Sequence, residues 1–389
     1  MKIAQVNVYY HPFMAGGAEW YVRNISVELV RRGHEVHVFT GDSFRGKVLK
    51  QKNEEVDGVQ VHRLSFWVNM TYRVKVWRGL AQALSSEAFD VIHAYDYAQP
   101  HAYSAIKTGK RNKTPTALTV FDVHSMIPRP FYKKVPIDLF DQYFSKITLA
   151  NADAVLVRAP NLMSTLIKMG AVEDRTYVTP SGVTEEALIK RNGRLFRSKY
   201  SISKKPIIMF LGRLHPVKGP QHLLKSAVEV VERYPEAYFI FIGPDHINYI
   251  DILKRIVMRE NLENNVLFTG PIYDFEMKME AFAASDIFVL PSAYEGTSQS
   301  IFQAMAAKKP IISTSGGGIP FQVENGKEAL LIDYGDEEAL ASAILTILDN
   351  KTLADDLAAR ANEKVKQFTY PKLVNQLEQI YSKLISERE

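Results

Sequence analysis

Arg213 and Lys218 stand in the stretch Gly212-Arg213-Leu214-His215-Pro216-Val217-Lys218-Gly219, which leaves the apolar run at 206–211 and enters a helical segment. A planar fork donor and a compact ammonium, set five residues apart across a Pro-containing loop, can both turn toward one anion. A diphosphate uses that combination well. Two solvated surface cations would leave the same trace. Glu295 has the more unusual position. The apolar run at 287–290 ends at Pro291, and residues 297–307 then repeat with helical spacing, so a helix begins just past a strand end. Backbone N–H groups at such a start attract an anion. A carboxylate there repels phosphate and is suited to accepting hydrogen bonds from hydroxyls of the same ligand. It is also what the helix dipole alone would favour. A phosphate that bears a polyol is the chemistry of a nucleotide sugar.

Other candidates are softer. Gly16-Gly17 closes the loop after the first strand and lets backbone approach a ligand or adopt positive φ, though it lacks the G-x-G-x-x-G spacing and an ordinary turn would use it too. His124 follows the run at 116–121, just past a strand end, where site residues collect. A structural histidine fits there equally well. Ser313-Thr314-Ser315-Gly316-Gly317-Gly318 is a second glycine loop suited to close approach to a ligand.

Positioning these residues calls for alternating strands and helices. Apolar runs at 2–8, 35–39, 59–64, 90–93, 116–121 and 154–157 predict six strands, and the pattern restarts at 206–211, 238–242, 265–268, 287–290, 310–313 and 329–332. The expectation is α/β, two doubly wound Rossmann-like domains facing across a cleft, with the ligand at the carboxyl ends of both sheets. The expected divisions are 1–183, a polar linker at 184–205, a second domain at 206–366 and a terminal helix at 367–389 packing back on the first domain. A chain of 389 residues with 46% apolar and 23% charged residues is large enough for two cores.

The absence of Cys excludes disulfides, thiolate nucleophiles and cysteine metal sites. No run approaches the length of a membrane span and the start reads as a strand, so the expected location is cytoplasmic. The net charge of +5 is uneven: residues 1–183 carry a net of +7 and residues 184–389 a net of −2. Such a basic half could meet anionic lipid, an acidic acceptor or nucleic acid, or be a solvated face. Residues 65–80 interleave aromatic and basic side chains, as a membrane-surface segment or a packed core would. Peripheral contact at the inner membrane surface is therefore one expectation. Nucleic acid is not, because no such module is recognisable.

With these residues in view, the chain resembles the retaining, two-Rossmann-domain nucleotide-sugar glycosyltransferases, the large group that includes sucrose-phosphate synthases and phosphatidylinositol mannosyltransferases. The resemblance runs from Gly16-Gly17-Ala18-Glu19 through Pro180-Ser181-Gly182-Val183 to Gly335-Asp336-Glu337-Glu338. It implies a GT-B fold and a hexosyltransferase activity whose partners are a nucleotide-diphosphate sugar donor and a sugar or lipid-linked acceptor. It implies no cofactor, and Asp-x-Asp, a common metal-holding pair in other sugar transferases, is absent. By the same resemblance Arg213 and Lys218 grip the donor diphosphate, Gly16 and Gly17 lie against it, His124 faces the reacting sugar and Glu295 bonds sugar hydroxyls. Tyr273, Gly296, Thr297, Ser298 and Gln303 complete the donor-binding set.

Three departures stand out. The second carboxylate of the family's Glu-x7-Glu motif is Gln303 here, which offers one acceptor oxygen and two donors in place of a charge. Gly296-Thr297-Ser298 lacks a second Gly or Pro, and Phe321 follows Pro320 where Glu is frequent. These keep a lapsed nucleotide-sugar-binding protein, or an epimerase or phosphorylase of the same architecture, as alternatives.

Overall fold

Each half of the chain builds a parallel sheet from short apolar strands joined by amphipathic crossover helices. The computed structural model describes residues 1–13, 16–44, 46–69, 75–122, 143, 145–245 and 247–388. His124 lies outside them. The chain divides into two units, Met1–Ser181 with Tyr370–Glu389, and Gly182–Thr369.

In the first unit the strands are β1 (Lys2–Val6), β2 (Glu35–Gly41), β3 (Asn53–Val56), β4 (Val59–Leu64), β5 (Val91–Tyr95), β6 (Thr116–Val120), β7 (Ala154–Val157) and β8 (Thr176–Val178). Their order is β8-β7-β6-β5-β1-β2-β4-β3, parallel throughout except for the antiparallel edge pair β3 and β4. Strands β5 and β6 are buried along their whole length, which only a sheet covered on both faces produces. The order reverses between β1 and β5, so the loops after these two strands diverge and leave a crevice at their carboxyl ends.

The second unit repeats the plan with β9 (Ile207–Leu211), β10 (Tyr238–Ile242), β11 (Val266–Gly270), β12 (Ile287–Leu290), β13 (Ile311–Thr314) and β14 (Leu330–Ile332). Here the order is β11-β10-β9-β12-β13-β14, all parallel, and the reversal falls between β9 and β12. Phe210, Phe239, Phe241, Phe282, Phe288 and Phe302 are fully buried there. Each contributes about 1.5–3 kcal/mol of burial. Residues 184–205, read as a polar linker, are part of this core: Phe196 and Ile202 are buried in it, and Arg197 donates to the Ala284 carbonyl at 2.9 Å. The apolar residues of this stretch are scattered among seven Lys and Arg, which is why the sequence reads as a linker.

The terminal helix Tyr370–Ser386 places Tyr370, Leu373, Val374, Leu377, Tyr381 and Leu384 on one face, the i, i+3, i+4 repeat of a core-facing stripe. It packs on the first unit. Arg32 donates to Glu378 at 2.7 Å and to the Pro371 carbonyl at 2.7 Å, and His34 meets Glu378 at 2.7 Å. Beneath, the Tyr381 hydroxyl lies 2.6 Å from His93 Nδ1, and His93 Nε2 lies 2.7 Å from the Thr119 hydroxyl. Among the described residues no helix is long and apolar enough to cross a membrane.

Burial holds the His93 imidazole neutral, with its pKa pushed down to about 3, and His101 follows at about 4 for the same reason. The unfolded chain protonates these rings near pH 6.5, so below that value it binds protons the folded unit refuses. The stability they allow is complete above pH 6.5 and is lost as pH falls toward 4. Trp20, Trp67 and Trp77 all lie in the first unit, so tryptophan fluorescence reports its unfolding. Urea titrations between pH 6.5 and 5 are expected to show stability falling by about 1.4 kcal/mol per pH unit for each ring. His93→Gln should remove one such increment from the slope, and an unchanged slope would contradict the account.

Candidate donor site in the second unit

The loop after β9 and the loop after β12 flank the reversal point of the second sheet, and they hold the residues with chemical capacity. After β9 the chain makes a short 3-10 turn at Pro216–Lys218, capped by His215, whose Nδ1 accepts from the Val217 N–H at 3.2 Å. The His215 pKa is lowered by burial first, then by the charges of Arg213 and Lys218, which favours the neutral ring that this cap needs. Lys218 leaves the turn and donates from Nζ to Glu295 Oε1 at 2.6 Å. Glu295 is 8% exposed, and the same oxygen accepts from the Ser292 hydroxyl at 2.7 Å. Arg213 is exposed and has no hydrogen-bond or ion-pair partner among the described residues.

Glycines permit this packing at two crossings. Gly219 has φ +73°, and a Cβ there would sit 2.0 Å from the Pro291 carbonyl oxygen, so the Lys218 turn rests directly on the end of β12. Gly317 has φ +67°, and its Cβ would meet the Glu295 carbonyl oxygen at 2.1 Å. The second glycine loop, read as one that lies against a ligand, is thus pressed on protein backbone: Glu295 pairs with Gly317, and the Gly318 N–H donates to the Glu295 carbonyl at 2.7 Å.

Past Glu295 the chain enters the helix Gln299–Ala306, whose cap is the Ser298 hydroxyl accepting from the Ile301 N–H at 3.4 Å. Gln322 clamps that start, accepting from the Ser298 N–H at 2.7 Å and donating to its carbonyl at 2.9 Å. The Thr297 hydroxyl is buried without a hydrogen bond among the described residues. Gln303 is half-buried and its side chain makes no hydrogen bond among the described residues. Phe321 packs against Phe368, with ring centroids at 5.6 Å. An aromatic at that position therefore serves the packing of residues 368 and 321. Tyr273, exposed, follows β11 at the same carboxyl end of the sheet.

So Arg213, Lys218, Glu295, Gly296, Thr297, Ser298, Gln303 and Tyr273 all belong to the second unit and follow its strands or open the adjoining helix. Gly16 and Gly17 belong to the first unit, after β1. Both are exposed, and Gly16 is extended at φ −174° with its N–H donating to Glu19 at 2.7 Å, so the positive φ anticipated for this pair is not used there. The role expected of His124 lies outside the described residues. One group able to ligate a metal exists among them: Glu35, His37 and Glu87, with ligand atoms within 4.8 Å. Lys2 is ion-paired with both carboxylates, at 2.9 and 2.7 Å. Sequence reading missed Ser292 and Gln322; only Ser292 lay close enough to Glu295 in the chain to be found.

Two domains of this order, each a parallel sheet with crossover helices, define the GT-B class of fold. The structure superimposes on sucrose-phosphate synthase from Thermosynechococcus elongatus with a TM-score of 0.82 at 22% identity, over 99% of each chain. Anabaena Alr3699/HepE, solved with UDP-glucose, gives 0.78 at 20% identity over 98% of this chain and 100% of that one. Two family models match in tandem, the glycosyl transferase 4-like domain over residues 16–182 and glycosyl transferases group 1 over residues 193–366. The chain belongs to this glycosyltransferase family. In sequence it is 25% identical to N-acetyl-alpha-D-glucosaminyl L-malate synthase of Bacillus anthracis over 376 residues, 94% of this chain and 93% of that one.

The buried ion pair makes a stability prediction. Lys218→Met leaves the Glu295 carboxylate without its cation and is expected to cost about 3–5 kcal/mol. Adding Glu295→Gln removes the stranded charge and should restore most of the loss. Calorimetric unfolding of the two variants checks this, and equal destabilisation in both would contradict it.

Proposed function

We propose that this glycosyltransferase moves a sugar from a nucleoside diphosphate sugar to an acceptor hydroxyl with retention of the anomeric configuration. The observation that carries the reading is the Lys218–Glu295 contact at 2.6 Å, set at a helix start with the unpartnered Arg213 on the same loop. Arg213 and Lys218 would hold the diphosphate, and the positive end of the helix Gln299–Ala306 would add a partial positive charge. Glu295 would accept from sugar hydroxyls while keeping Lys218 in place. Gln303 would bond the ribose through its carbonyl oxygen and amide, a neutral contact in place of a charged one. That HepE is solved with UDP-glucose puts UDP-glucose first among donors to try.

In the reaction the bond between the anomeric carbon and the leaving diphosphate oxygen breaks. The acceptor oxygen bonds that carbon on the same face, and the acceptor proton passes to the departing diphosphate. The protein's part is to offset the negative charge that grows on the leaving group. The two cations and the helix start supply that charge in this reading, so it calls for no metal.

Arg213 is exposed, so Arg213→Ala tests the chemistry without disturbing the fold. Turnover of UDP-, GDP- and ADP-glucose, with the product anomer read by NMR, is expected to show retention in the wild type. A loss on the order of 100-fold is expected in Arg213→Ala. Tight donor binding without transfer or hydrolysis would support a lapsed binding protein instead, and an epimerised donor would support an epimerase.

A further inference from the structure

The Pro216 carbonyl oxygen collects three donors. The Gly219 N–H reaches it at 3.0 Å, the Tyr334 hydroxyl at 3.1 Å and the Gln221 amide nitrogen at 3.1 Å. A carbonyl offers two lone pairs, so this one is saturated. Pro216 opens the turn that ends at Lys218. The next carbonyl, of Val217, accepts from the Ala293 N–H at 2.8 Å. Rotating the peptide between Pro216 and Val217 would break the three bonds to the Pro216 carbonyl together with the bond from the Val217 N–H to His215, and with them the direction in which Lys218 leaves the backbone.

Only the Gly219 bond is internal to the turn. Tyr334 arrives from beyond β14, more than a hundred residues away in sequence, and is itself held in place. Its ring meets His222 edge to face at 4.8 Å, and His222 Nδ1 lies 2.7 Å from Glu337. Gln221 sits in the first turn of the helix Pro220–Arg233. Burial raises the Tyr334 pKa, so its hydroxyl keeps the proton it donates. Tyr334 is 45% exposed, which is more than a residue serving core stability alone would need.

We propose that Tyr334 and Gln221 are positioning residues for Lys218: they lock the Pro216 turn so that the ammonium is aimed before the donor arrives. The inference rests on the donor reading above and deepens it. A preset cation does not have to be ordered at the moment of binding, which favours affinity for the diphosphate.

The test measures the dissociation constants of UDP, GDP and ADP by calorimetry, together with hydrogen exchange of the backbone at 217–219. Tyr334→Phe keeps the ring against His222 and removes only the hydroxyl. The bound nucleotide is expected to weaken about five-fold, exchange at 217–219 to quicken, and the melting temperature to stay within about 2 °C. Gln221→Leu should act in the same direction. In a Lys218→Met background, Tyr334→Phe should change nucleotide affinity no further, because the group it aims is gone. Equal weakening in both backgrounds, or unchanged affinity and exchange in Tyr334→Phe, overturns the inference and leaves the donor reading standing. Failure of the wild type to bind any of the three nucleotides overturns the donor reading and this inference with it.

Discussion

The second unit is organised by one ion pair. Lys218 and Glu295 are 77 residues apart in sequence, and their side chains meet at 2.6 Å because β9 and β12 are neighbours at the point where strand order reverses. Taking two charges out of water is costly, and a close geometry with a further donor is needed to offset it. Ser292 provides that donor. An apolar pair of similar size would serve stability at least as well. The pair therefore makes better sense as a device that keeps an ammonium and a carboxylate in fixed relation above the sheet, each with capacity left for a ligand.

That arrangement constrains the backbone around it. The turn bearing Lys218 lies on the end of β12 only because residue 219 has no side chain, and the loop at 316–318 lies on the backbone of Glu295 for the same reason. Gly243 adds a third crossing, since a Cβ there would fall 1.8 Å from the Gly212 carbonyl oxygen. Three glycines thus remove clashes between loops that leave different strands, and the loops become a stacked layer. A layer of this kind resists deformation, and a charged group mounted on it stays where it is placed.

Much of this was legible in the sequence, and the reasons it was legible are physical. Buried parallel strands read as uninterrupted apolar runs, so β7, β10 and β12 have the boundaries expected from the residues, and β4 has them through the alternation of a strand with one buried face. Strand β3, with the sequence Asn53-Glu54-Glu55-Val56, was not foreseen, because an exposed antiparallel edge can be built from charged residues. Strand β8 is only three residues long and gives no period at all. At the site, Arg213, Lys218 and Glu295 were visible through their types and their places after strands. The Pro216 brace was not, since Tyr334 is one exposed aromatic in a loop and its partner is a carbonyl, which no residue type announces. The glycine loop at 316–318 was visible, but absence of a Cβ shows only that something comes close, and in the structure the backbone of Ala293 and Glu295 does.

The two units differ in what fills them. The second is built on phenylalanine and aliphatic residues, whereas the first buries Gln5, His93, His101, Thr119, Tyr95 and Tyr381 at or near its central strands. Apolar packing stabilises broadly and tolerates rearrangement, while a buried hydrogen-bonded chain specifies one arrangement and penalises others. The Tyr381–His93–Thr119 chain ties the terminal helix to β5 and β6 at a single register. A slip of that helix by one residue would bury the Tyr381 hydroxyl unsatisfied, at about 1–3 kcal/mol. The apolar stripe supplies the affinity of the helix for the first unit, and the polar chain decides where along the stripe it comes to rest.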